Sequence, residues 1–496
     1  MRRLLLNLLV SITPAAATCL LVFLFFRCTP TDYIPFWNDE VDYWHQILTF
    51  TRFGFAGGYY SIEELIAPAS FSHFGTHGPF FPVIYGLIGK IAGWTEASAT
   101  LFNLALFTIA GILFLQLIKP GAKQLLMTAL MLLTFWPLLL YLPTTMQEPL
   151  HMSLALILAG LFYRLIDKRQ ESNYTFMITA IVLVLAALLR ASWGILFIPL
   201  LLAGTARRSF TTTVNTLAAG VICLTLSLLT FTFLAAPYPD NFVNNLLAVI
   251  KTRPAAGLNL FYDHICINLQ HFFSWKSDET LEIVLRYQLL VALIGTVGIR
   301  FIDSKNQRSR QEVMVHCCNI LLILLLVISL YDIGDWRSYR IFAPHLLFSM
   351  ALFIACNRAT VIYILIALSF AFVQNFAKLY PDFHRGHFTG DKSAAAAFGA
   401  AYGSELRFRQ DASPWGNSLL IGIEDCQPFL AGLPAGIGIN CVLDWNRISY
   451  PLKSAYVIIP PEVYRHIAGK VRLQPVKSGS FGALFINLDS PPNKVR

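Results

Sequence analysis

The sequence predicts an all-α polytopic membrane protein of about eleven transmembrane helices, followed by a small α/β domain at the carboxyl end. Three observations support this prediction. The 496-residue chain is 56% hydrophobic and only 13% charged, with a mean hydropathy of +0.59, which is more apolar surface than a soluble globule can bury. Apolar windows of membrane-spanning length recur along the first three quarters of the chain. Short apolar runs bounded by turn residues follow in the last quarter, and these are typical of strands.

The first apolar segment covers residues 4–26 and follows Arg2 and Arg3. It is too long for the apolar core of a signal peptide, so we expect an uncleaved helix whose amino end lies in the cytoplasm. The later windows lie near residues 97–118, 125–142, 150–166, 174–189, 192–206, 212–235, 283–301, 314–331, 341–356 and 359–376.

The distribution of Lys and Arg in short loops predicts the orientation. The cations near residues 119–123, 164–169, 207–208, 300–310 and 358 all fall on the side of the amino terminus, which identifies that side as the cytoplasm. The connections near residues 27–95, 143–149, 190, 236–282 and 332–340 then face outward, as does the tail. If the apolar residues 79–94 crossed the membrane, every later loop would change sides and its cations would face outward. We therefore expect these residues to lie in the outer interface as an amphipathic helix.

We expect three parts: a membrane domain over residues 1–376 with a long first outer loop at 27–95, a linker over 377–404, and an extracytoplasmic α/β domain over 405–496. Within the last part, residues 418–423, 455–459 and 483–487 are predicted strands, and 461–467 a helix. Cys426 and Cys441 are fifteen residues apart in this domain, and the sequence leaves open whether they form a disulfide.

The net charge of +9 does not indicate a nucleic-acid partner. The cations are distributed over the predicted cytoplasmic loops and the tail, and no basic patch with interleaved aromatic residues is present in the sequence. The charge therefore reflects membrane topology.

The predicted outer face collects the residues that could carry chemistry. Loop acids are usually just solvated, and an Arg at a helix end commonly extends to the interface. Their coincidence on one face is harder to explain as structure alone, because charge at a bilayer edge is costly. The candidates are Asp39, Glu40, His77, Glu148, Arg190, Arg337 and Arg340.

The order of these features resembles the GT-C glycosyltransferases that use polyprenyl-phosphate sugars, such as protein O-mannosyltransferases and lipid A aminoarabinose transferases. Glycine stands here where relatives have the first proline of a His-Pro-Pro-like element. The resemblance covers about three quarters of the chain. The matching elements are Asp39-Glu40, Thr76-His77-Gly78-Pro79, Glu148-Pro149, Gly334-Asp335-Trp336, Tyr339-Arg340 and Pro344.

The resemblance implies a hexosyl- or pentosyltransferase that moves a monosaccharide from a polyprenyl-phosphate donor to a hydroxyl of a glycan, lipid or protein acceptor, with inversion. Asp39 is the expected base that removes the hydroxyl proton. Arg337 and Arg340 are the expected ligands of the departing phosphate, and Arg190 is a lesser one.

Three further assignments follow from the same resemblance. Glu40 and Glu148 are expected to position the acceptor, to orient Asp39 or to hold a divalent cation. His77 is expected either to assist the phosphate or a metal, or simply to cap the interfacial helix. Metal dependence stays open, because the sequence has no two-histidine ligand spacing on a helix.

Two other classes compete with this interpretation. An O-antigen ligase or polymerase also handles polyprenyl-linked sugars, but it usually relies on a large late loop. A transporter or flippase would carry broken helices at the midplane and an internal repeat, whereas these charges gather at one end. The expected location is a bacterial inner membrane with the active site on the periplasmic or extracellular side. The sequence does not identify the sugar or the acceptor, whether a cell-envelope glycan or lipopolysaccharide.

Overall fold

The structure is a computed structural model of the whole chain. The residues that it describes are 2–57, 78–167, 173–205, scattered positions between 211 and 229, 242–274, 280–303, 306–331, 333, 339–390, 392–422, 427–441 and 450–490.

Helices make up most of the described chain. A short π-helical turn, Cys317–Leu321, joins two of them into one continuous rod over residues 307–330. In order, the helices are Arg2–Phe26, Asn38–Phe53, Phe80–Ala92, Ser98–Ile118, Ala122–Thr134, Trp136–Tyr141, Glu148–Ile166, Asn173–Leu189, Phe197–Thr205, Phe242–Thr252, Pro254–Phe273, Thr280–Ile302, Gln307–His316, Leu322–Leu330, Phe342–Ala355, Ala359–Ala371, Val373–Thr389, Lys392–Tyr402, Gln427–Leu430 and Pro461–Ile467.

Five helices in the described residues are long and apolar enough to cross a membrane, and a sixth crossing results if one bent pair is counted as a single span. The five are Arg3–Phe26, Ser98–Ile118, Glu148–Ile166, Leu281–Ile302 and Gln307–Leu330. The expected count of about eleven therefore stays a prediction. Most of the window at residues 212–235 lies outside the described residues.

Several predicted spans are interrupted. The window at 125–142 breaks at Phe135, because Pro137 has no backbone N–H to donate and its ring cannot continue the preceding helix. The window at 359–376 breaks at Phe372, where the axis bends by 64° and a second helix, Val373–Thr389, begins. This helix and Lys392–Tyr402 occupy the segment expected to be a linker, and Phe242–Thr252 and Pro254–Phe273 lie in an expected outer loop.

Helix Phe80–Ala92 has 13 residues and is about 20 Å long, which is too short to cross a hydrocarbon core. It packs along helix Asn38–Phe53, hereafter the first-loop helix. The contact requires small residues, since a Cβ on Gly86 would come within 2.6 Å of the Phe50 ring. The expected interfacial location suits this length and packing and stays a prediction.

The centre of the helical bundle contains Glu148–Ile166 and Phe342–Ala355, which pack against each other. Every residue of Phe342–Ala355 is buried. Arg340 precedes this helix and Arg358 follows it, so these two arginines lie at its opposite ends, separated by about 20 Å of helix. The amino terminus of the bundle helix Glu148–Ile166 lies at the Arg340 end, because Glu148 contacts Arg340.

The last part of the chain forms a five-stranded sheet: β1 Ser418–Ile421, β2 Gly438–Cys441, β3 Tyr456–Ile459, β4 Leu473–Gly479 and β5 Gly482–Asn487. The strand order is β2-β1-β3-β5-β4, with β1 parallel to both β2 and β3, and β5 antiparallel to β3 and β4. The expected small C-terminal α/β unit is confirmed. Its central strands, β1 and β3, are buried throughout, and they coincide with two of the predicted apolar runs. Cys426 lies outside the described residues, so the question whether it pairs with Cys441 stays open.

The first-loop helix docks on this sheet domain along one face. Val41 belongs to the apolar core of the domain, the Nε2–H of His45 donates to the carbonyl oxygen of Ile437 at 2.7 Å, and the N–H of Gly436 donates to Thr49 Oγ1 at 2.9 Å. Positions 41, 45 and 49 share one face because four residues make about one helical turn. Burial lowers the pKa of His45 to about 4, so its imidazole is neutral at this contact. The domain thereby fixes the orientation of the helix that carries Asp39.

Candidate active site

Four charged side chains form a row of alternating sign at one end of the bundle. Arg340 donates from Nη2 to Asp39 Oδ2 at 3.0 Å, and its Nε lies 3.8 Å from Glu148 Oε1. The same Glu148 oxygen accepts from Arg190 Nη2 at 3.4 Å. Glu148 is 2% exposed, whereas Asp39 is 41% exposed and so remains open to solvent. We call these four residues the Asp39 row.

The row lies where three helices begin. Asp39 is in the first turn of the first-loop helix, Glu148 is the first residue of Glu148–Ile166, and Arg340 lies two residues before Phe342–Ala355. Acidic residues are favourable in a first turn, because they face unpaired backbone N–H groups and the positive end of the helix dipole. The local sequence thus places both carboxylates at helix ends, and Arg340 bridges them.

Glu40 lies behind the row and has no exposed surface. Both of its carboxylate oxygens are hydrogen-bonded to groups from three other segments of the chain. The donors are Tyr33 Oη at 2.5 Å, Thr145 N at 3.1 Å, Phe36 N and Trp37 N at 3.3 Å each, and His387 Nε2 at 2.5 Å. With every lone-pair direction occupied, Glu40 holds neighbouring segments together and has no free atom to offer a substrate.

The environment of Glu40 favours its charged form. Burial alone would raise its pKa, but the charge of His387, together with the hydrogen bonds from His387, Tyr33 and Trp37, outweighs burial and lowers it. Glu40 therefore stays ionised beside Asp39 and fixes the turn on which Asp39 lies. Thr145, which donates to Glu40, precedes Glu148 by three residues, so the same carboxylate also anchors the loop leading to Glu148.

Asp42 is a second half-buried carboxyl near Asp39. It accepts from Gln46 Nε2 at 2.7 Å, one turn further along the first-loop helix. Burial and the nearby charge of Asp39 together raise the pKa of Asp42 to about 7. Asp39 and Asp42 thus differ, since Asp39 has a guanidinium partner and Asp42 has only an amide among the described residues.

The structure brings together four of the seven residues expected from the sequence, Asp39, Glu148, Arg190 and Arg340, and puts Glu40 directly behind them. Arg337 and His77 lie outside the described residues, so their expected roles stay predictions. Sequence reasoning missed Tyr33, Thr145 and His387, the partners of Glu40. The spacing of His384 and His387, one turn apart on a helix beyond the last apolar window, was the signal that could have identified His387.

No group of three or more His, Cys, Asp or Glu side chains in the described part of the chain is placed to hold a metal ion. The divalent cation that the resemblance allows therefore stays an open expectation.

No protein-family model and no curated protein sequence matches the chain. Among solved structures, it is similar to the crystal structure of ArnT from Cupriavidus metallidurans bound to undecaprenyl phosphate, with a TM-score of 0.50 and 12% sequence identity over 97% of this chain and 98% of that one. The apo crystal structure of the same ArnT aligns over 96% of this chain and 97% of that one, with a TM-score of 0.43 and 12% identity. The first similarity extends along nearly the whole of both chains, and it confirms the GT-C fold class that the resemblance implied.

Proposed function

We propose that the protein is an integral membrane glycosyltransferase that moves a monosaccharide from a polyprenyl-phosphate donor to a hydroxyl of a cell-envelope acceptor. The observation that carries this proposal is the 3.0 Å contact between Asp39 and Arg340, residues 301 positions apart in the chain. It joins a solvent-open carboxylate, suited to removing a proton, to a guanidinium suited to binding phosphate. The shared fold with an ArnT that binds undecaprenyl phosphate supports the donor class.

Arg340 is the proposed ligand of the donor phosphate. A guanidinium can hold two phosphate oxygens at once, and the three helix amino termini around it add positive potential. As the bond between the anomeric carbon and the phosphate oxygen breaks, its electron pair goes to the phosphate, and the charge that develops there is stabilised by Arg340. Arg337 is a second proposed ligand, with His77 and Arg190 as lesser ones.

Asp39 is the proposed general base. Without donor, Asp39 Oδ2 accepts a hydrogen bond from Arg340 Nη2. A donor phosphate competes for the same guanidinium, so donor binding frees Asp39 to take the proton of the acceptor hydroxyl as the new glycosidic bond forms. Attack from the face opposite the phosphate inverts the anomeric centre, by the same stereochemical logic as an inverting glycosidase.

Glu40 and Glu148 have positioning roles in this proposal. Glu40 fixes the turn that carries Asp39 through its buried hydrogen bonds, and Glu148 holds Arg340 against Arg190. The acceptor hydroxyl would approach from the solvent-open side of Asp39. We place the active site and the sheet domain on the outer side of a bacterial inner membrane, as the positions of the loop cations predict.

The test uses the purified full-length protein in liposomes with undecaprenyl phosphate carrying radiolabelled glucose, mannose or aminoarabinose, and envelope lipids and glycans as acceptors. We expect label to appear in an acceptor with release of an equal amount of undecaprenyl phosphate, and the new linkage to have the inverted configuration. Transfer only from diphosphate-linked oligosaccharides would favour a ligase or polymerase. Movement of intact labelled lipid across the bilayer without transfer would favour a flippase, and either result would contradict the proposal.

A further inference from the structure

A group of buried polar atoms beside the Asp39 row has no hydrogen-bond partner among the described residues. Each belongs to a side chain at or next to the start of helix Glu148–Ile166. The atoms are Gln147 Nε2, Glu148 Oε2, His151 Nε2 and Arg190 Nη1. Residues 147, 148 and 151 lie within one helical turn of each other, and Arg190 is tied to Glu148 by its other terminal nitrogen.

The contacts of His151 determine which of its nitrogens carries the proton. The indole Nε1–H of Trp193 donates to His151 Nδ1 at 3.2 Å, so Nδ1 carries no hydrogen and accepts through its lone pair. In a neutral imidazole the other nitrogen then bears the hydrogen. His151 Nε2–H is therefore a donor, fully buried, without an acceptor in the described part of the chain.

Leaving a buried polar atom unpaired costs the full desolvation of that atom, so four together are hard to explain as packing. A histidine on the neighbouring central helix shows the contrast. His345 packs against the same Trp193, yet its Nε2 bonds to Ser192 Oγ at 2.9 Å and its Nδ1 to Asn319 Oδ1 at 2.8 Å. The fold thus satisfies one buried imidazole completely and leaves the other with a donor to offer.

The chemistry of the group indicates its ligand. The four atoms are three donors, from Gln147, His151 and Arg190, and one carboxylate acceptor, on Glu148. A phosphate would meet repulsion from that carboxylate, since phosphate accepts hydrogen bonds and carries the same sign of charge. A sugar hydroxyl both donates and accepts, so a ring with adjacent hydroxyls can satisfy the carboxylate and the surrounding N–H groups together.

We propose that Gln147, Glu148, His151 and Arg190 form the subsite for the sugar hydroxyls of the donor. This proposal rests on the proposed function, and it gives Arg190 Nη1 a sugar hydroxyl to contact beside the phosphate that Arg340 holds. Glu148 and Arg190 belong both to this subsite and to the Asp39 row. The proposal therefore places the sugar directly beside Arg340, the proposed phosphate ligand.

The test measures two dissociation constants for each protein: for undecaprenyl phosphate alone, and for whichever of its glucose, mannose or aminoarabinose derivatives the wild-type protein binds most tightly. The variants are His151→Phe and Gln147→Leu, which remove a donor while keeping much of the side-chain volume. The matched control is His345→Phe, the same substitution at the satisfied imidazole. Only variants that keep a cooperative thermal transition in detergent are compared.

We expect the preference for the sugar-bearing lipid to fall roughly tenfold in His151→Phe and in Gln147→Leu, with affinity for undecaprenyl phosphate unchanged. His345→Phe keeps the wild-type preference. An unchanged preference in both variants, or an equal loss of affinity for both lipids, would overturn the subsite. Failure of the proposed function itself gives a different result, since the wild-type protein would then bind no sugar-bearing lipid more tightly than the bare phosphate.

Discussion

Two arginines flank the same buried helix, Phe342–Ala355, and they differ in how completely they and their partners are hydrogen-bonded. Arg358 follows Phe342–Ala355 and bonds through Nε and Nη2 to both oxygens of Glu312, at 2.8 to 3.2 Å. It also reaches Ser309 at 2.9 Å and Asp303 at 3.4 Å. We call Asp303, Ser309, Glu312 and Arg358 the Arg358 cluster.

Arg340, at the other end, makes one hydrogen bond of 3.0 Å to Asp39 and one longer approach of 3.8 Å to Glu148. The Arg358 cluster leaves no side-chain atom buried and unpartnered, whereas Glu148 and Arg190 in the Asp39 row each leave one, within the described residues. The same residue types are thus saturated at one end and unsaturated at the other. Complete hydrogen bonding is expected of an arginine that only holds helices together. Buried polar atoms without partners are expected where a ligand binds.

The largest predicted contrast comes from removing each arginine. Arg358→Ala leaves the fully buried Glu312 without its cation, so we expect a loss of about 3–5 kcal/mol in the free energy of unfolding. Arg340→Ala leaves Glu148 with Arg190 and Asp39 in solvent, so its thermal stability should change little. Its transfer rate should fall by roughly 10²–10³-fold, because a stabilising cation is lost from the leaving group. Thermal melts and initial rates in liposomes measure both quantities.

Arg340→Lys keeps the positive charge but lacks the paired N–H donors of a guanidinium. Its transfer rate should lie between those of Arg340→Ala and the wild type. If Arg340→Ala melted far below wild type while transferring sugar normally, the distinction between the two ends would be wrong.

A second comparison uses the two buried carboxylates. Glu40→Gln and Glu312→Gln each neutralise a fully buried carboxylate and should each lower the melting temperature markedly, because the surrounding donors lose a charged acceptor. Only Glu40→Gln should also reduce the turnover number, by roughly tenfold or more, with little change in donor KM, because it loosens the turn carrying Asp39.

Since the pKa of Glu40 is lowered on folding, its stabilising contribution is present near neutral pH and is lost as the pH falls through that lowered pKa.

Two results would contradict this account. One is an equal loss of turnover in both glutamine variants, measured on protein that remains folded. The other is full turnover in a folded Glu40→Gln protein.

The smallest predicted effect concerns Asp42. Its pKa is raised from below 4 to about 7 on folding, so the folded state binds the proton more tightly and stability decreases as the pH rises between these values. Asp42→Asn removes this penalty. We expect the variant to melt a few degrees above wild type at pH 8 and to match it near pH 4, as followed by thermal melts across that range. An advantage independent of pH would contradict the assigned ionisation.

The sequence predicted the members of the Asp39 row, but neither the contacts between them nor the partners of Glu40 behind them. Asp39 and Glu148 were recognisable because acids beside apolar windows are conspicuous, and Arg340 because the Tyr339-Arg340 pair lies in a charged stretch at a span end. The 3.0 Å contact across 301 positions depends on how the helices pack, which periodicity does not report. Tyr33 and His387 were missed for the same reason, since a buried partner has no distinctive local pattern.

The fold shows a similar division. Uninterrupted apolar windows such as Ser98–Ile118 were predicted almost to the residue, because burial in lipid needs continuous hydrophobicity. Breaks at Phe135 and Phe372 were missed, although Pro137 was a visible cause of the first. In the sheet domain the central strands β1 and β3 were predicted, whereas β2 and β4 at its edges were missed because few of their residues are apolar.

The central claim is that Asp39, open beside an incompletely bonded arginine, removes the acceptor proton. Asp39→Asn and Asp303→Asn form a matched pair, since both aspartates face an arginine and their side chains are 41% and 39% exposed. Transfer from a sugar-bearing undecaprenyl phosphate and binding of that donor are measured on each. We predict that Asp39→Asn binds the donor and loses roughly 10²–10⁴-fold in transfer, while Asp303→Asn transfers normally. An Asp39→Asn protein that binds the donor and transfers the sugar at the wild-type rate would contradict the claim.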